Sequence, residues 1–454
     1  MNHSDPTDAD RHPTLSAAGQ RMLDHPVQHP HAPIFRNKSG SRLTADDLAR
    51  LRVFEAGVAQ AGFARPGNGD PLWLTDFVAR CHADVPYYRA RGAAPAHFAD
   101  VPVTSRAELA QDIKPFVLDS VELDRLINFR TSGVTGHPLL IASHPLVAAS
   151  YIAFHRLALS RYGVEMKAGQ GDVGVVLLGF QRRCFTYVSV NPAMNEVGYA
   201  KINLHPDDWR DPEDRARYLD ALRLEILSGD PVSLAALLAL PTVWKPRAVV
   251  STSMNLLPAL RIELETRFGC PVLDVYSMTE SGPIAVFDAH ANGHVLLQQN
   301  LLVEILDPAG KRMGEGERGE ITLTGGFNFC LPLLRYRTGD YACLQARENE
   351  MVLTGFSGRA PVRFRAAGGE WINNNDVTHA LRSLPLWQYR LHQRADGALR
   401  FEFAAPGGLA DQIAQVLTAL FGDGCLIEIH HTAFEDAKIT PYSSDVPDMY
   451  CQAG

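Results

Sequence analysis

The sequence lacks the features that mark three large classes of protein. Its 454 residues contain no apolar run approaching the roughly eighteen residues of a transmembrane helix, so no membrane partner is expected. The formal net charge of -8 argues against a nucleic-acid-binding surface. The N-terminus has no basic segment followed by an apolar one, as a secretory signal would, and a cytoplasmic location is therefore expected.

The cysteines also lack the spacing of a disulfide framework or a zinc site. There are seven of them, and none forms a C-x-x-C pair: Cys81, Cys184, Cys270, Cys330, Cys343, Cys425 and Cys451. An odd count with irregular spacing favours reduced thiols. Two histidines in the middle of the chain, His290 and His294, are interpreted as solvated side chains.

Composition and periodicity predict an α/β fold. Hydrophobic residues make up 46% of the chain and charged residues 21%, which is typical of a globular protein with a sizeable core. Strand-like and helix-like segments alternate from residue 211 to 276, beginning with a long charged helix over 211–227, and this alternation predicts a layered α/β domain. Short strands with Gly-rich turns over 294–356 predict a small β subdomain.

The pattern divides the chain into three parts. Residues 1–34 are rich in His, Pro and Asp without an apolar period, and we interpret them as a disordered tail. Residues 35–357 form the large N-terminal domain. Residues 358–454 alternate strands and helices in a way that predicts a small, mobile α+β C-terminal lobe.

The first motif is a loop rich in glycine and hydroxyl groups. Thr131, Ser132 and Thr135 share six residues with Gly133 and Gly136. Such a loop has little side-chain bulk and many backbone N–H groups, so it can wrap an anionic cluster of oxygens. It is not the helix-opening phosphate loop, because no Lys-Ser/Thr pair follows the second glycine. An ordinary turn between two elements is the alternative.

The second motif, DVYSMTESG at 274–282, lies where a predicted strand ends and a turn begins. In α/β proteins ligands bind at such strand ends. The ring of Tyr276 can stack on a base, Thr279 can bond a phosphate, and Glu280 can hold Mg²⁺. The alternative is a capped strand end with a solvated glutamate.

The third motif is the segment YRTGD, which ends at Asp340. A carboxylate after a Gly turn suits the two hydroxyls of a ribose. The alternative is a turn aspartate that bonds its own backbone.

Together the motifs resemble the adenylate-forming superfamily, and within it the phenylacetate–coenzyme A ligases. TSGVTGHP, DVYSMTESG, RGEITLTGGFNFCLPLLRYRTGDY and the Gly-Arg pair at 358–359 stand in the order and at the distances of that family. The resemblance extends from about residue 45 to about residue 370. It implies activation of a small carboxylic acid with ATP and Mg²⁺ as acyl-AMP, followed by transfer to a thiol, most simply that of coenzyme A.

The resemblance also implies roles for single residues. The loop Thr131–Gly136 would close over the β- and γ-phosphates, and Tyr276 would stack on adenine. Thr279 would contact the α-phosphate and Glu280 would bind Mg²⁺. The ribose would be held by Asp340, with Arg359 of the hinge close to it.

Four departures from the family pattern leave other functions open. Val134 removes a hydroxyl from the loop, Ser277 adds bulk beside the expected acyl pocket, and Pro361 restricts the hinge. The usual Gly-Lys near the C-terminus is missing, and Lys438 is the nearest candidate for the catalytic lysine. A carrier protein or an amine therefore remains open as the acyl acceptor, and so does a non-catalytic nucleotide-binding homologue.

Overall fold

The structure is a computed structural model. It describes residues 6–67, 69–130, 139–167, 173–253, 256, 258–357, 362–381, 383–384, 386, 388–404, 408–432 and 442–447.

Among these residues the helices are α1 (Asp8–Arg11), α2 (Ala17–Gln28), α3 (Ala45–Ala61), α4 (Leu74–Asp84), α5 (Pro86–Arg89), α6 (Arg106–Gln111), α7 (Pro145–Arg161), α8 (Asp214–Leu222), α9 (Pro231–Leu238), α10 (Pro258–Phe268), α11 (Asn374–Leu381) and α12 (Ala410–Phe421). The strands of the N-terminal part are β1 (Thr104–Ser105), β2 (Ile127–Arg130), β3 (Leu140–Ser143), β4 (Val173–Gly179), β5 (Tyr187–Asn191), β6 (Val197–Asn203), β7 (Ile226–Gly229), β8 (Ala248–Ser251), β9 (Val272–Met278), β10 (Gly282–Asp288), β11 (Gly293–Leu296), β12 (Leu301–Leu306), β13 (Arg318–Gly325), β14 (Leu333–Arg347) and β15 (Glu350–Ser357). The strands of the C-terminal part are β16 (Arg363–Arg365), β17 (Trp371–Asn373), β18 (Gln388–Gln393), β19 (Leu399–Ala404), β20 (Ile427–His431) and β21 (Tyr442–Ser444).

One large sheet organises the N-terminal part. In the described residues it has 13 strands, in the order β12-β13-β14-β15-β11-β10-β9-β8-β7-β4-β6-β5, with β1 pairing with β14. Strands β6-β4-β7-β8-β9 pair with one another in parallel, whereas β5 is antiparallel to β6 and antiparallel ladders join β9-β10-β11-β15-β14-β13-β12. The predicted α/β fold is confirmed. The predicted β subdomain continues the parallel sheet through hydrogen bonds between β9 and β10.

Helices cover both faces of the parallel strands. Along β8 the side chains alternate: Val249 packs in the core formed with α8, α9 and α10, and Val250 packs in the core formed with α7. A strand that is buried on both faces reads as a continuous apolar run, which is why these strands are visible in the sequence. None of the described helices is both long enough and apolar enough to cross a bilayer.

The C-terminal part has a core of its own. Strands β20-β19-β18-β21 form a four-stranded sheet, and β16 and β17 form a hairpin. Helix α12 places Ile413 and Leu417 against Phe401 of β19, and all three side chains are fully buried. This is the α+β lobe that the sequence predicts.

The prediction of a helix over 211–227 is wrong at the C-terminal end of that range. Helix α8 ends at Leu222, and Arg223 has a left-handed backbone with φ of 46°. Residues 226–229 then form β7, an inner strand of the large sheet. The short apolar run is too brief to distinguish a strand from the last turn of a helix by periodicity.

The prediction of a disordered N-terminal tail is also wrong for the described residues. Ser16 caps α2 by accepting hydrogen bonds from Ala18 and Gly19, and Met22 is only 4% exposed within the core beside β6. The hydroxyl of Tyr218 on α8 donates to the carbonyl of Pro26 at 2.8 Å. Long-range contacts therefore order a segment whose composition is that of a disordered chain.

We expect Met22→Ala to lower the free energy of unfolding by about 2–5 kcal/mol, because it removes a buried side chain and leaves a cavity. Val27→Ala is the matched control, since Val27 lies on the same helix and is 49% exposed. Denaturant unfolding measures both variants. Equal, small effects would mean that α2 does not pack on the sheet.

Candidate active site

The DVYSMTESG motif lies where the sequence places it, at the end of a strand. Strand β9 ends at Met278, and residues 279–281 form the turn into β10. Gly282 after this turn has φ of +73°, and a Cβ there would lie 2.5 Å from Cζ of Phe327. Glycine is required here for both reasons, and its smallness lets Phe327 support the turn.

The structure brings Tyr276 and Asp340 together, although 64 residues separate them. The Tyr276 hydroxyl donates to Oδ2 of Asp340 at 3.0 Å. The Tyr276 ring is 8% exposed and lies 4.6 Å from the ring of Phe356, measured between centroids. Burial, and then the neighbouring Asp340 carboxylate, raise the pKa of Tyr276 well above its ordinary value, so the phenol stays a donor.

The backbone around Asp340 is fixed by side chains of the neighbouring strands. Gly339 has φ of +81°, and its N–H donates to Oε1 of Glu320 on β13 at 2.9 Å. The Asp340 N–H donates to Oγ1 of Thr338 at 3.1 Å. Asp340 thus lies within β14, and its carboxylate accepts a hydrogen bond from Tyr276.

Glu280 is not solvated; it is 2% exposed and neutralised by a cation. Its Oε1 accepts from Nη1 of Arg106 at 3.0 Å and from the hydroxyl of Tyr336 at 2.9 Å. Burial and the Glu280 charge raise the pKa of Tyr336 well above its ordinary value. Sequence analysis missed Arg106 and Tyr336. The available signals were the position of Arg106 at the start of a capped helix and of Tyr336 four residues before Asp340.

The arrangement fits a magnesium ion carried by a nucleotide better than an all-protein metal site. The part of the chain that the structure describes has no group of three His, Cys, Asp or Glu side chains able to hold a metal. Both hydrogen bonds to Glu280 meet at Oε1, and no described residue donates to Oε2. One carboxylate oxygen together with phosphate oxygens is the usual way in which Mg²⁺ binds in nucleotide enzymes.

Thr279 and Glu280 are also held through their backbone carbonyls. The hydroxyl of Tyr151 on α7 donates to the Thr279 carbonyl at 3.0 Å. The side-chain amide of Asn328 donates to the carbonyls of Glu280 at 3.4 Å and Ala142 at 3.2 Å. Since Ala142 lies on β3, this amide joins the turn to the strand that follows the hydroxyl-rich loop.

Several predicted site residues lie outside the described residues: Thr131, Ser132, Gly133, Thr135, Gly136, Arg359 and Lys438. The strands on either side of the hydroxyl-rich loop are described. They pair as an antiparallel hairpin in which Arg130 is opposite Leu140. Strand β3 of this hairpin is joined to the turn at Glu280 through the side-chain amide of Asn328.

The interpretation of His294 as a solvated side chain is wrong. His294 is 7% exposed, and its Nε2 lies 3.4 Å from Oδ2 of Asp274, the first residue of the second motif. Its ring is 5.0 Å from that of Phe356, which in turn contacts Tyr276. The histidine thus supports the site from within the sheet.

Comparisons with known proteins show which family the chain resembles. Residues 131–329 match the family model of AMP-binding enzymes. The phenylacetate-coenzyme A ligases of Escherichia coli (strain K12) and Pseudomonas putida are 34% and 33% identical to the chain over 86 and 85 residues. Each match covers 18% of this chain and 20% or 19% of the relative, about a fifth of its length.

Two solved structures show the same fold at low sequence identity. One is 2-hydroxyisobutyryl-CoA ligase in complex with 2-HIB-AMP and CoA in the thioesterification state, with a TM-score of 0.53, 16% identity, and coverage of 89% of this chain and 91% of that one. The other is the same ligase with 2-HIB-AMP in the postadenylation state, with a TM-score of 0.50, 15% identity, and coverage of 87% and 90%.

We expect Glu280→Gln to have two separable effects. Loss of the charge beside Arg106 weakens charge-assisted hydrogen bonds and lowers stability by about 1.5–3 kcal/mol. If Oε2 contacts nucleotide-bound Mg²⁺, the Mg²⁺ concentration needed for half-maximal activity rises at least ~10-fold, which corresponds to ~1.4 kcal/mol. Thermal unfolding measures the first effect and a magnesium titration of activity the second.

Glu350→Gln is the control for Glu280→Gln, because Glu350 pairs with Arg161 at 2.7 Å and belongs to no motif of the site. It should lose stability without changing the magnesium requirement. An unchanged magnesium requirement in Glu280→Gln would limit Glu280 to its contacts with Arg106 and Tyr336.

Proposed function

We propose that the chain is a member of the adenylate-forming superfamily, in its phenylacetate–coenzyme A ligase-like branch, and that it activates a carboxylic acid with ATP and transfers the acyl group to coenzyme A. The observation that carries the proposal is the convergence of Tyr276, Glu280 and Asp340 at the end of β9. The relatives are ligases of coenzyme A by name, and 2-hydroxyisobutyryl-CoA ligase has been solved with an acyl-AMP and CoA bound.

The reaction has two displacement steps. A carboxylate oxygen attacks the α-phosphorus, forming an O–P bond while the bond to the bridging oxygen breaks and pyrophosphate leaves. The thiolate of coenzyme A then attacks the acyl carbon, forming a C–S bond while the C–O bond breaks and AMP leaves; the thiol proton passes to solvent. All reactants are anionic, so catalysis depends on fixed donors and cations more than on a general base.

The nucleoside end of the site is formed by Tyr276 and Asp340. Tyr276 contributes an aromatic surface for adenine and holds Oδ2 of Asp340, so the carboxylate is oriented before the nucleotide binds. A carboxylate that is already oriented loses little side-chain entropy on hydrogen bonding to the two ribose hydroxyls. Arg359 completes this end in the proposal.

The phosphate end is formed by the turn after β9 and the hydroxyl-rich loop. Thr279 would hold the α-phosphate, and the carboxylate of Glu280 would hold the magnesium ion that accompanies ATP. Thr131, Ser132 and Thr135 hold the outer phosphates with the backbone of the loop. Support comes from the β2–β3 hairpin, whose strand β3 is joined to the turn by Asn328.

The test is acid-dependent exchange of labelled pyrophosphate into ATP, screened over aryl acids and short polar acids. Exchange with at least one acid, and none without acid, is expected. ATP binding without exchange for any acid would favour the non-catalytic nucleotide-binding homologue. The product formed with coenzyme A, a carrier-protein thiol or an amine then identifies the acceptor.

We expect Asp340→Ala to lower kcat/KM for ATP at least ~100-fold. Two hydrogen bonds from a charged carboxylate to the ribose contribute together ~3 kcal/mol or more. Asp396→Ala is the control, because Asp396 is an exposed aspartate beside a glycine, in a hairpin turn of the lobe. A change in Asp340→Ala of less than about fivefold, under ~1 kcal/mol, would show that Asp340 does not bind the nucleotide.

Lys438 is proposed as the cation that stabilises the α-phosphate during adenylation. We expect Lys438→Ala to slow acyl-AMP formation by ~10²–10³, the usual cost of one preorganised group. ATP binding and the turnover of supplied acyl-AMP by coenzyme A should change little, because Tyr276 and Asp340 belong to the large domain. Single-turnover kinetics of each half-reaction provide the measurement.

Lys311→Ala, at an exposed lysine in a turn of the large domain, controls for the loss of positive charge. An unchanged rate of adenylation in Lys438→Ala would exclude Lys438 as the adenylation cation. Equal loss of both half-reactions would indicate a folding defect instead.

A further inference from the structure

The loop Phe180–Arg182 follows β4 at the carboxyl end of the parallel strands, and its backbone is held by Asn203 from the large domain. The Gln181 N–H donates to Oδ1 of Asn203 at 3.0 Å. Nδ2 of Asn203 donates to the Gln181 carbonyl at 2.6 Å, and also to Oδ2 of Asp208 at 2.7 Å. These bonds pair the backbone N–H and carbonyl of Gln181, the middle residue of the loop, and leave the other two residues to other partners.

The C-terminal lobe holds the residues on either side. Nδ2 of Asn373 donates to the carbonyl of Phe180, and the N–H of Arg182 donates to Oδ1 of Asp376 at 2.8 Å. The Asp376 N–H donates to Oδ1 of Asn373 at 2.9 Å, so the two side chains are fixed relative to each other at the start of α11. Asn373 is 3% exposed and Asp376 is 7% exposed.

We propose that Asn373 and Asp376 are positioning residues that dock the C-terminal lobe on the Phe180–Arg182 loop, and that the loop loses its order when the lobe leaves. The backbone groups of this loop are divided between the two parts of the protein. If the lobe moves away, the Phe180 carbonyl and the Arg182 N–H lose their protein partners, while Asn203 still holds Gln181. One loop at the strand ends therefore responds to the position of the lobe.

Protonation of the Asp376 carboxyl group affects the docking of the lobe. Burial raises the pKa of Asp376 to about 7, against the lowering effect of hydrogen bonds from the backbone of Arg182 and Asn373. The charged or titratable groups facing it are the Arg182 guanidinium, which lowers its pKa, the buried Asp230 carboxylate, which raises it, and the Cys184 thiol. An exposed aspartate has a pKa near 4.

The sign of the pH dependence follows from these two pKa values. Because the docked state holds the proton more tightly, docking is fully favoured below the exposed pKa of about 4 and weakens as the pH rises to about 7. Arg182 attracts the ionised carboxylate, but burial remains the larger effect.

A role of lobe docking in catalysis would rest on the proposed function, whereas the docking contact itself does not. Its test is therefore amide hydrogen exchange on the full-length protein without ATP, acid or coenzyme A, at pH 5.5, 6.5 and 7.5 and corrected for intrinsic exchange rates. The expected protection of the peptide containing residues 180–182 is highest at pH 5.5. Failure of the pyrophosphate-exchange assay would not change the expected hydrogen exchange. Failure of the hydrogen-exchange experiment would likewise leave the proposed function untouched.

Three variants decide the outcome. Asp376→Ala should lower protection of the loop at least ~10-fold, the effect of losing a hydrogen bond to a carboxyl group. Asp376→Asn retains an acceptor but cannot titrate, so it should keep the protection and remove its pH dependence. Asp411→Ala, at an exposed carboxylate in the first turn of α12, should match the wild-type protein.

Protection of β19 shows whether the lobe remains folded in each variant. Wild-type protection of the loop in Asp376→Ala would overturn the docking contact. A pH dependence that survives in Asp376→Asn would overturn the assignment of the proton to Asp376.

Discussion

Two hydrogen bonds between strands that are not neighbours determine the geometry of the site. Tyr276 on β9 donates to Asp340 on β14, and Tyr336 on β14 donates to Glu280 just after β9. Three strands lie between β9 and β14 in the sheet. At about 4.8 Å a step, a flat sheet would place them ~19 Å apart, too far for two side chains to meet at hydrogen-bond distance. The antiparallel half must therefore curl back over the end of β9.

An apolar interior makes this curl stable. Ile284 and Ala285 of β10 pack in one core with Ile321 and Leu323 of β13, and all four side chains are fully buried. The charged groups lie at one end of this core, where Glu280 is neutralised by Arg106. Removing one partner of such a buried pair is costly, whereas the intact pair contributes orientation more than stability. The core thus fixes the positions of groups that are proposed to meet an anionic nucleotide.

The sequence predicted those parts of the site that depend on local chemistry. The strand end before Thr279 follows from residue types within a few positions of each other. It failed where a contact spans a long stretch of chain. Neither the ion pair of Arg106 with Glu280 nor the burial of His294 against Asp274 leaves a periodic signal in the sequence.

The prediction of a disordered N-terminal segment failed for the same reason. Met22 and Leu23 are a short apolar pair without a helical period of apolar residues around it, and the burial of Met22 depends on β6, about 175 residues further along the chain. The strand β7 was missed because a short apolar run after a charged helix reads as a continuation of that helix. Local pattern therefore predicted the fold class and the motifs, and tertiary packing supplied the partners of the charged groups.

In the proposed reaction a carboxylate oxygen attacks the α-phosphate of ATP. The most direct measurement uses a substrate acid with both carboxylate oxygens replaced by oxygen-18, with mass spectrometry of the released nucleotide. We expect AMP that carries one oxygen-18 atom, because the bridging oxygen of acyl-AMP leaves with the phosphate when the thiol attacks. Release of ADP, or of AMP without the label, would contradict it.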